Sequence, residues 1–424
     1  MKAISLPPTA RCLCAFLPGA AAARLLGGTG VIESLLFGAV FALWCMAFFG
    51  RQRACAPRSL PLFAGLFLLF AARMAALPIV SPDCQDYLIP WAKTMSTMTF
   101  KEVMRGQVGD YTVLYQYFVF LLSRLPLDLV ALYKLLSIGF EALLAYSAAS
   151  LACIARGEEK RSRAFSIVFL AALVLPTVFL NGAYWSQCDA VFTSLALFGV
   201  LMILKDRPHA GCAFLALSLC LKLQAVFILP VCALLLFHKK LAIRHALTAA
   251  GTVFAVSIPA LLAGKGIKGV LGVYLYQMGE YKQLVLDAPT LYQFLPETAS
   301  SKLGILLAGG AMCLILLLGA LRKKPDAAAF TDVCFALCIA IPFFLPHMHE
   351  RYFFLADVLA LVYAAAHPRR MYAPAIVLLG SLNGYCAYLF KARLTPWAFP
   401  TLLMALLVAA TVALLCRDTI KKTA

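Results

Sequence analysis

Charge is what this chain lacks. Asp, Glu, Lys and Arg make up 13% of its 424 residues, and only 19 are acidic; soluble domains carry about 25% charged residues. Apolar side chains reach 63% and mean hydropathy is +0.89, whereas soluble composition stays near ~45–50% apolar. These figures exclude a water-soluble globular protein. Because long apolar runs recur throughout, they also exclude a single anchor carrying a soluble domain. Paired CxxC motifs are absent as well, so the 15 cysteines, with Cys12 and Cys14 the one close pair, read as small packing hydrophobes rather than a disulfide or metal framework. No internal repeat, low-complexity segment, nucleic-acid motif or inverted half is visible. Gly264-Lys265-Gly266-Ile267-Lys268-Gly269 satisfies G-x-G-x-x-G, but it follows an apolar span and has no βαβ context, so dinucleotide binding is rejected. The basic start and apolar middle of residues 1–28 resemble a signal peptide; Arg24 interrupts the run, and the segment is expected to be retained.

Apolar stretches lie at about 31–50, 60–78, 128–155, 163–180, 187–204, 208–222, 224–238, 244–263, 302–321, 328–346, 351–366, 371–388 and 396–416, with weaker ones at 12–28 and 110–126. The expected fold is therefore all-α, a polytopic transmembrane helical protein of about 13–14 spans forming one integral membrane domain over 1–424. The net charge of +18 sits in short clusters: Arg51, Arg53 and Arg58; Arg156 to Arg163; Lys205 and Arg207; Lys239, Lys240 and Arg244; Arg322 to Lys324; Arg369 and Arg370; Arg417, Lys421 and Lys422. The positive-inside rule places these in the cytoplasm and needs no polyanionic partner or nucleic acid. Loops 79–109, 181–187, about 222–224, 264–301, 346–351 and 389–395 then face outward. The two longest, 79–109 and 264–301, mix aromatic and polar residues and predict short amphipathic helices at the membrane surface. An odd number of crossings must separate 79–109 from 156–163, yet two apolar stretches lie between them, so one of 110–126 and 128–155, with 110–126 the weaker, is expected to be re-entrant or interfacial.

Ionisable groups beside apolar helices are costly and mark candidate sites. Asp83 and Asp86 are three apart, which on an α-helix puts them on one face; either suits a general base, and both suit an N-cap. Trp185-Ser186-Gln187-Cys188-Asp189 ends on an acid that heads a span, and Lys222-Leu223-Gln224 offers a cation for phosphate or a snorkelling lysine. In Pro346-His347-Met348-His349-Glu350-Arg351-Tyr352, two His and a Glu could hold a divalent metal. The stronger reading pairs Arg351 with phosphate, held by Glu350 or Asp357. Asp287-Ala288-Pro289-Thr290-Leu291-Tyr292 alone reads as a turn.

Taken in order, Asp86-Tyr87-Leu88-Ile89-Pro90-Trp91, Gly109-Asp110-Tyr111, Trp185 to Asp189, Lys222-Leu223-Gln224-Ala225, Ala288 to Tyr292 and Met348-His349-Glu350-Arg351-Tyr352-Phe353 resemble bacterial membrane proteins related to the second mannosyltransferase of GPI-anchor synthesis, within the C-type (GT-C) superfamily of polytopic glycosyltransferases. The likeness covers roughly 60–390. Ser186 stands where Gly is commoner, Thr290 where Asn is commoner, and His347 is an extra ionisable group. The resemblance implies an inverting glycosyltransferase on the extracytoplasmic face. It would move a monosaccharide, mannose or another hexose, from a polyprenyl-phosphate donor to a hydroxyl on a glycan, lipid or protein acceptor. It implies Asp86, by motif match, as general base in 79–109, the catalytic outer loop. The candidate substrate-binding residues are Trp185, Gln187, Asp189, Lys222, Gln224, Tyr292, His349, Glu350 and Arg351 within those motifs, and Asp83 from the reading of the residues alone. The rival classes are a polytopic lipid or glycan transporter, whose ionisable residues belong near mid-membrane, and a non-catalytic scaffold.

Overall fold

The computed structural model describes residues 8–50, 59–158, 162–279 and 281–423, with side chains described only between 14 and 420. Arg51, Arg53, Arg58, Lys160, Arg161 and the side chains of Cys12, Lys421 and Lys422 lie outside the described residues. The chain is a helical membrane bundle. In hydrocarbon each backbone N–H and C=O must be satisfied within its own segment, and continuous apolar sequence meets that demand as helix. Among the described residues seven helices are long and apolar enough to cross a membrane: Val31–Phe49, Leu129–Ala155, Ile243–Leu262, Ser301–Ala320, Ala327–Phe344, Pro368–Phe390 and Ala398–Ile420. An eighth passes if Arg163–Val174 and Pro176–Tyr184, bent by 52°, form one span. The break has a local cause: Pro176 brings no N–H and drives Leu175 into extended backbone (φ −49°, ψ 120°). Other apolar helices, including Leu60–Ala75, Asp189–Leu204, Pro208–Leu221 and Phe354–Ala366, run 10–17 residues. The 13–14 spans read from hydropathy are thus met by seven or eight full-length helices plus shorter ones, because polar turns cut several apolar runs below a bilayer's thickness.

Two helices form the centre. Leu129–Ala155, capped by the Asp128 carboxylate accepting from Ala131 N at 2.7 Å, is 67% buried, and Ala327–Phe344, capped likewise by Asp326 (2.9 Å from Ala329 N), is 83% buried. Ile243–Leu262 and Ser301–Ala320, 17% and 28% buried, instead turn Leu247, Phe254 and Leu306 outward, the apolar surface that lipid covers.

Segment 110–126 carries helix Val113–Leu122, about 15 Å long and so short of a bilayer's hydrocarbon thickness, and both its flanks are tied to neighbouring segments. Thr112 Oγ1 donates to the Cys220 and Leu221 carbonyls, and Arg124 to the carbonyls of Met95, Ser96 and Met98 in 79–109. Loop 79–109 carries a π-helical turn, Cys84–Leu88, and helices Ile89–Ser96 and Phe100–Arg105, the last started by a Thr99/Glu102 capping box. Loop 264–301 contains helix Ile267–Gly279, which exposes Ile267, Leu271, Leu275 and Met278, as an interfacial helix does. Beyond it Val285–Leu286 pairs in parallel with Met348–His349, and His347 reaches back with N–H to Leu284 O at 2.8 Å. Loop 264–301 is thereby fastened to the His-Glu-Arg segment.

Candidate functional site

Loops 79–109, 181–187, 222–224, 264–301 and 346–351 and the end of helix Tyr372–Phe390 meet at one end of the bundle. Asp83 is the hub. Its buried carboxylate accepts from Trp185 Nε1 (2.9 Å) and Gln187 Nε2 (2.8 Å) on Oδ2 and from the Tyr388 hydroxyl on Oδ1, with Arg351 Nη2 3.9 Å away. Ser81 Oγ donates to the Trp185 carbonyl (2.9 Å), and the Trp185 indole stacks on Tyr388 at 4.9 Å. Arg351 donates to Gln187 Oε1 (2.6 Å) and Glu350 Oε1 (3.0 Å) and lies over the Trp185 ring. The Tyr111 hydroxyl joins Gln187 Oε1 at 3.2 Å. Burial alone would raise the Glu350 carboxyl, but the His349 hydrogen bond and the Arg351 charge outweigh it and hold the carboxyl down to about 2. Burial likewise opposes the Arg351 charge, and Glu350 and Asp189 override it, driving its pKa well above the ordinary arginine value.

A second group adjoins. Asp189 and Lys222 form a buried ion pair, and Asn181 Nδ2 donates to Asp189 Oδ2 (2.7 Å) and the Tyr385 hydroxyl (3.1 Å). Tyr385 packs edge-on against Trp185 at 5.2 Å, which couples the two groups. His349 places Nδ1 3.5 Å from Glu350 and leaves its buried Nε2 without a hydrogen bond, between the rings of Tyr281 and Tyr352. Gln224 lies beside Tyr352, and its Oε1 is buried without a hydrogen-bond partner.

Several expectations are corrected. Asp83 and Asp86 do not share a face: the segment is π-helical, and the wider i→i+5 turn separates residues three apart. Asp83 points inward, and Asp86 is exposed, its carboxylate without a hydrogen bond or ion pair among the described residues. Neither side chain caps the helix. Lys222 does not snorkel and Arg351 is not a free cation; both carry carboxylate partners. Asp357 does not hold Arg351, since its Oδ1 accepts from Ser381 Oγ (2.8 Å) inside the bundle. Tyr292 stands apart, donating to the Ser300 carbonyl (3.2 Å) and packing where Gly304 leaves no room for a side chain. Among the described residues no three His, Cys, Asp or Glu side chains converge as metal ligands.

Ser186, where Gly was expected, has φ 66°, a left-handed conformation that favours glycine. Gly384 is required for another reason: a Cβ there would collide with the Asp287 carbonyl oxygen and sit 3.0 Å from Glu350 Cβ. Sequence reasoning passed over Asn181, Tyr385 and Tyr388. It also missed two buried groups. Arg73 and Glu141 pair at 2.5 Å, with Arg73 also bonded to the Leu69 and Leu173 carbonyls, and Lys134 donates to the carbonyls of Ala76, Leu77 and Ile79. Charges inside apolar runs were the available signal for both.

No family model matches the chain, and no curated protein matches it.

Proposed function

We propose that the chain is a membrane glycosyltransferase that takes a hexose from a polyprenyl-phosphate donor and transfers it, with inversion, to an acceptor hydroxyl on the extracytoplasmic face. One observation carries this reading. Residues of the resembling motifs, spread from Tyr111 to Arg351, gather around Asp83 into one polar network, and an exposed carboxylate with no partner among the described residues, Asp86, follows Asp83 by three positions in the chain. An unpartnered carboxylate at the edge of such a network is available to take a proton. In the proposed step Asp86 removes the acceptor proton, the freed oxygen attacks the anomeric carbon, and the bond to the phosphate oxygen breaks with its electron pair leaving on the polyprenyl phosphate. Arg351 is assigned to that phosphate, because Nη2 has no contact closer than the 3.9 Å approach to Asp83. Lys222 is assigned to positioning, because it is buried and its ammonium is already paired with Asp189.

The test is purified protein incubated with radiolabelled polyprenyl-phosphate hexoses and hydroxyl acceptors. New glycosidic product supports the proposal. Movement of intact labelled lipid across vesicles, with no new bond formed, identifies the transporter instead.

A further inference from the structure

At the opposite end of the bundle three arginines surround one acid. Arg322 Nη2 lies 3.9 Å from Asp418 Oδ2, Arg370 Nη2 donates to the same oxygen at 3.4 Å, and Arg417 donates to Oδ1 from Nε (3.3 Å) and Nη2 (3.2 Å). The Asp418 carboxylate balances one of three positive charges, and a further acid acting on the cluster, Asp332, lies near Arg370 and is paired with His367. Arg370 has further support, since Nη1 donates to the Tyr363 hydroxyl at 2.9 Å and the guanidinium lies over that ring. Arg322 has none: it is 4% exposed, and its buried Nε and Nη2 have no hydrogen-bond partner.

The positive-inside rule explains why arginines collect at this end. It does not explain one of them buried with unused donors, because buried charged groups are ordinarily paired and hydrogen-bonded. The missing element is an anion. A planar guanidinium with open N–H groups matches the oxygens of a phosphate, and basic pockets between transmembrane helices on the cytoplasmic side take phospholipid headgroups. We infer that Arg322, Arg370 and Arg417 form a phosphate-binding site, its ligand either the headgroup of an anionic phospholipid or free inorganic phosphate. The inference is independent of the proposed transfer reaction.

The full chain, purified in zwitterionic detergent, is titrated separately with phosphatidylglycerol, phosphatidylcholine and inorganic phosphate, reading bound lipid by native mass spectrometry and the thermal midpoint. Phosphatidylglycerol is expected to bind about ten-fold more tightly than phosphatidylcholine, and Arg322→Gln to remove about that factor, the usual value of one charge-assisted contact. Asp418→Asn, which deletes the competing carboxylate, is expected to tighten binding. Retention of phosphatidylglycerol that phosphate does not displace identifies the lipid; stabilisation by phosphate alone identifies the free ion. Indifference of the wild-type protein to both anions overturns the inference, whatever the variants do. So does an anion preference that Arg322→Gln and Asp418→Asn leave unchanged.

Discussion

Asp83 and Asp86 are three residues apart, and the structure gives them opposite energetic roles that substitution separates. The Asp83 carboxylate is the acceptor for Trp185, Gln187 and Tyr388. Each buried donor left without an acceptor costs about 1–3 kcal/mol, so Asp83→Ala, which strands three, should cost at least about 3 kcal/mol. That agrees with about 3–5 kcal/mol for removing one partner of a buried charge pair. Asp83→Asn is milder. Its oxygen can serve Trp185 and Gln187 while its amide faces Tyr388, whose hydroxyl can turn to accept, so chiefly the charge assistance is lost, about 1–2 kcal/mol. Asp86 has no partner to lose, and Asp86→Asn should stay within about 0.5 kcal/mol of wild type, as exposed substitutions do. If it is the base, transfer falls by about 10²–10⁴-fold. Thermal midpoints in detergent, measured beside transfer of labelled hexose at saturating donor, give both readouts from one preparation. Near-normal transfer by Asp86→Asn would falsify the base assignment, and an Asp83→Ala protein as stable as wild type would refute the hub.

The other expectations each test one feature. Gly384→Ala forces a Cβ against Asp287 and Glu350 and should cost about 1–3 kcal/mol by overpacking; a wild-type midpoint with full transfer would show that loop 264–301 has room to move. Ser186→Gly should raise stability by about 1 kcal/mol by relieving the left-handed backbone, and a lower midpoint would mean that its buried side chain matters more. Glu350 has a folded pKa of about 2 against an ordinary 4.5, so its contribution is fully present above pH 4.5 and is lost as pH falls toward 2. Glu350→Gln should flatten that acid limb, and a limb identical to wild type places the titration elsewhere. Cysteines introduced in 79–109 and 264–301 should react with an impermeant thiol reagent in intact cells, whereas ones beside Arg163, Lys240 or Arg370 should not; exposed Cys14 and Cys313 set the background, and the reverse pattern inverts the topology.

Hydropathy was enough to read the helical bundle, because in a membrane the cost of an unpaired backbone group leaves few alternatives to helix. Charge counting required that one of 110–126 and 128–155 not cross; of the two, Leu129–Ala155 is long and apolar enough to span and Val113–Leu122, at 10 residues, is short. Local geometry was less legible. The three-residue spacing of Asp83 and Asp86 implied a shared face only under α-helical periodicity, and the π-helical turn breaks that premise without any marker a propensity scale would catch. The network itself was legible as a set of residue types and not as a set of contacts. Tyr388 and Asp83 are 305 positions apart, and nothing in an apolar helix distinguishes a tyrosine that anchors a carboxylate from one that packs. Arg73, Lys134 and Glu141 were visible as charges in apolar runs, but their roles as helix-to-helix clamps depend on partners from other segments.

Under the proposed function, the electrostatics of the network would also limit how a lipid-linked donor is recognised there. Asp83, Asp189 and Glu350 face Lys222 and Arg351, so fully ionised acids leave the set one negative charge in excess before any phosphate arrives. Two isolated cations would attract a phosphate from a distance; a network already closed on itself repels one weakly until a carboxylate yields. In the proposed reaction the phosphate contact would therefore form locally, at the side of Arg351 not taken by Glu350 or Gln187, and much of the binding energy would come from apolar contact with the polyprenyl chain. That division would suit the proposed transferase. Each buried methylene of a polyprenyl chain is worth about 0.8 kcal/mol, so under the proposal the tail would supply affinity while the polar network, packed around Trp185, Tyr385 and Tyr388, would orient the sugar toward Asp86.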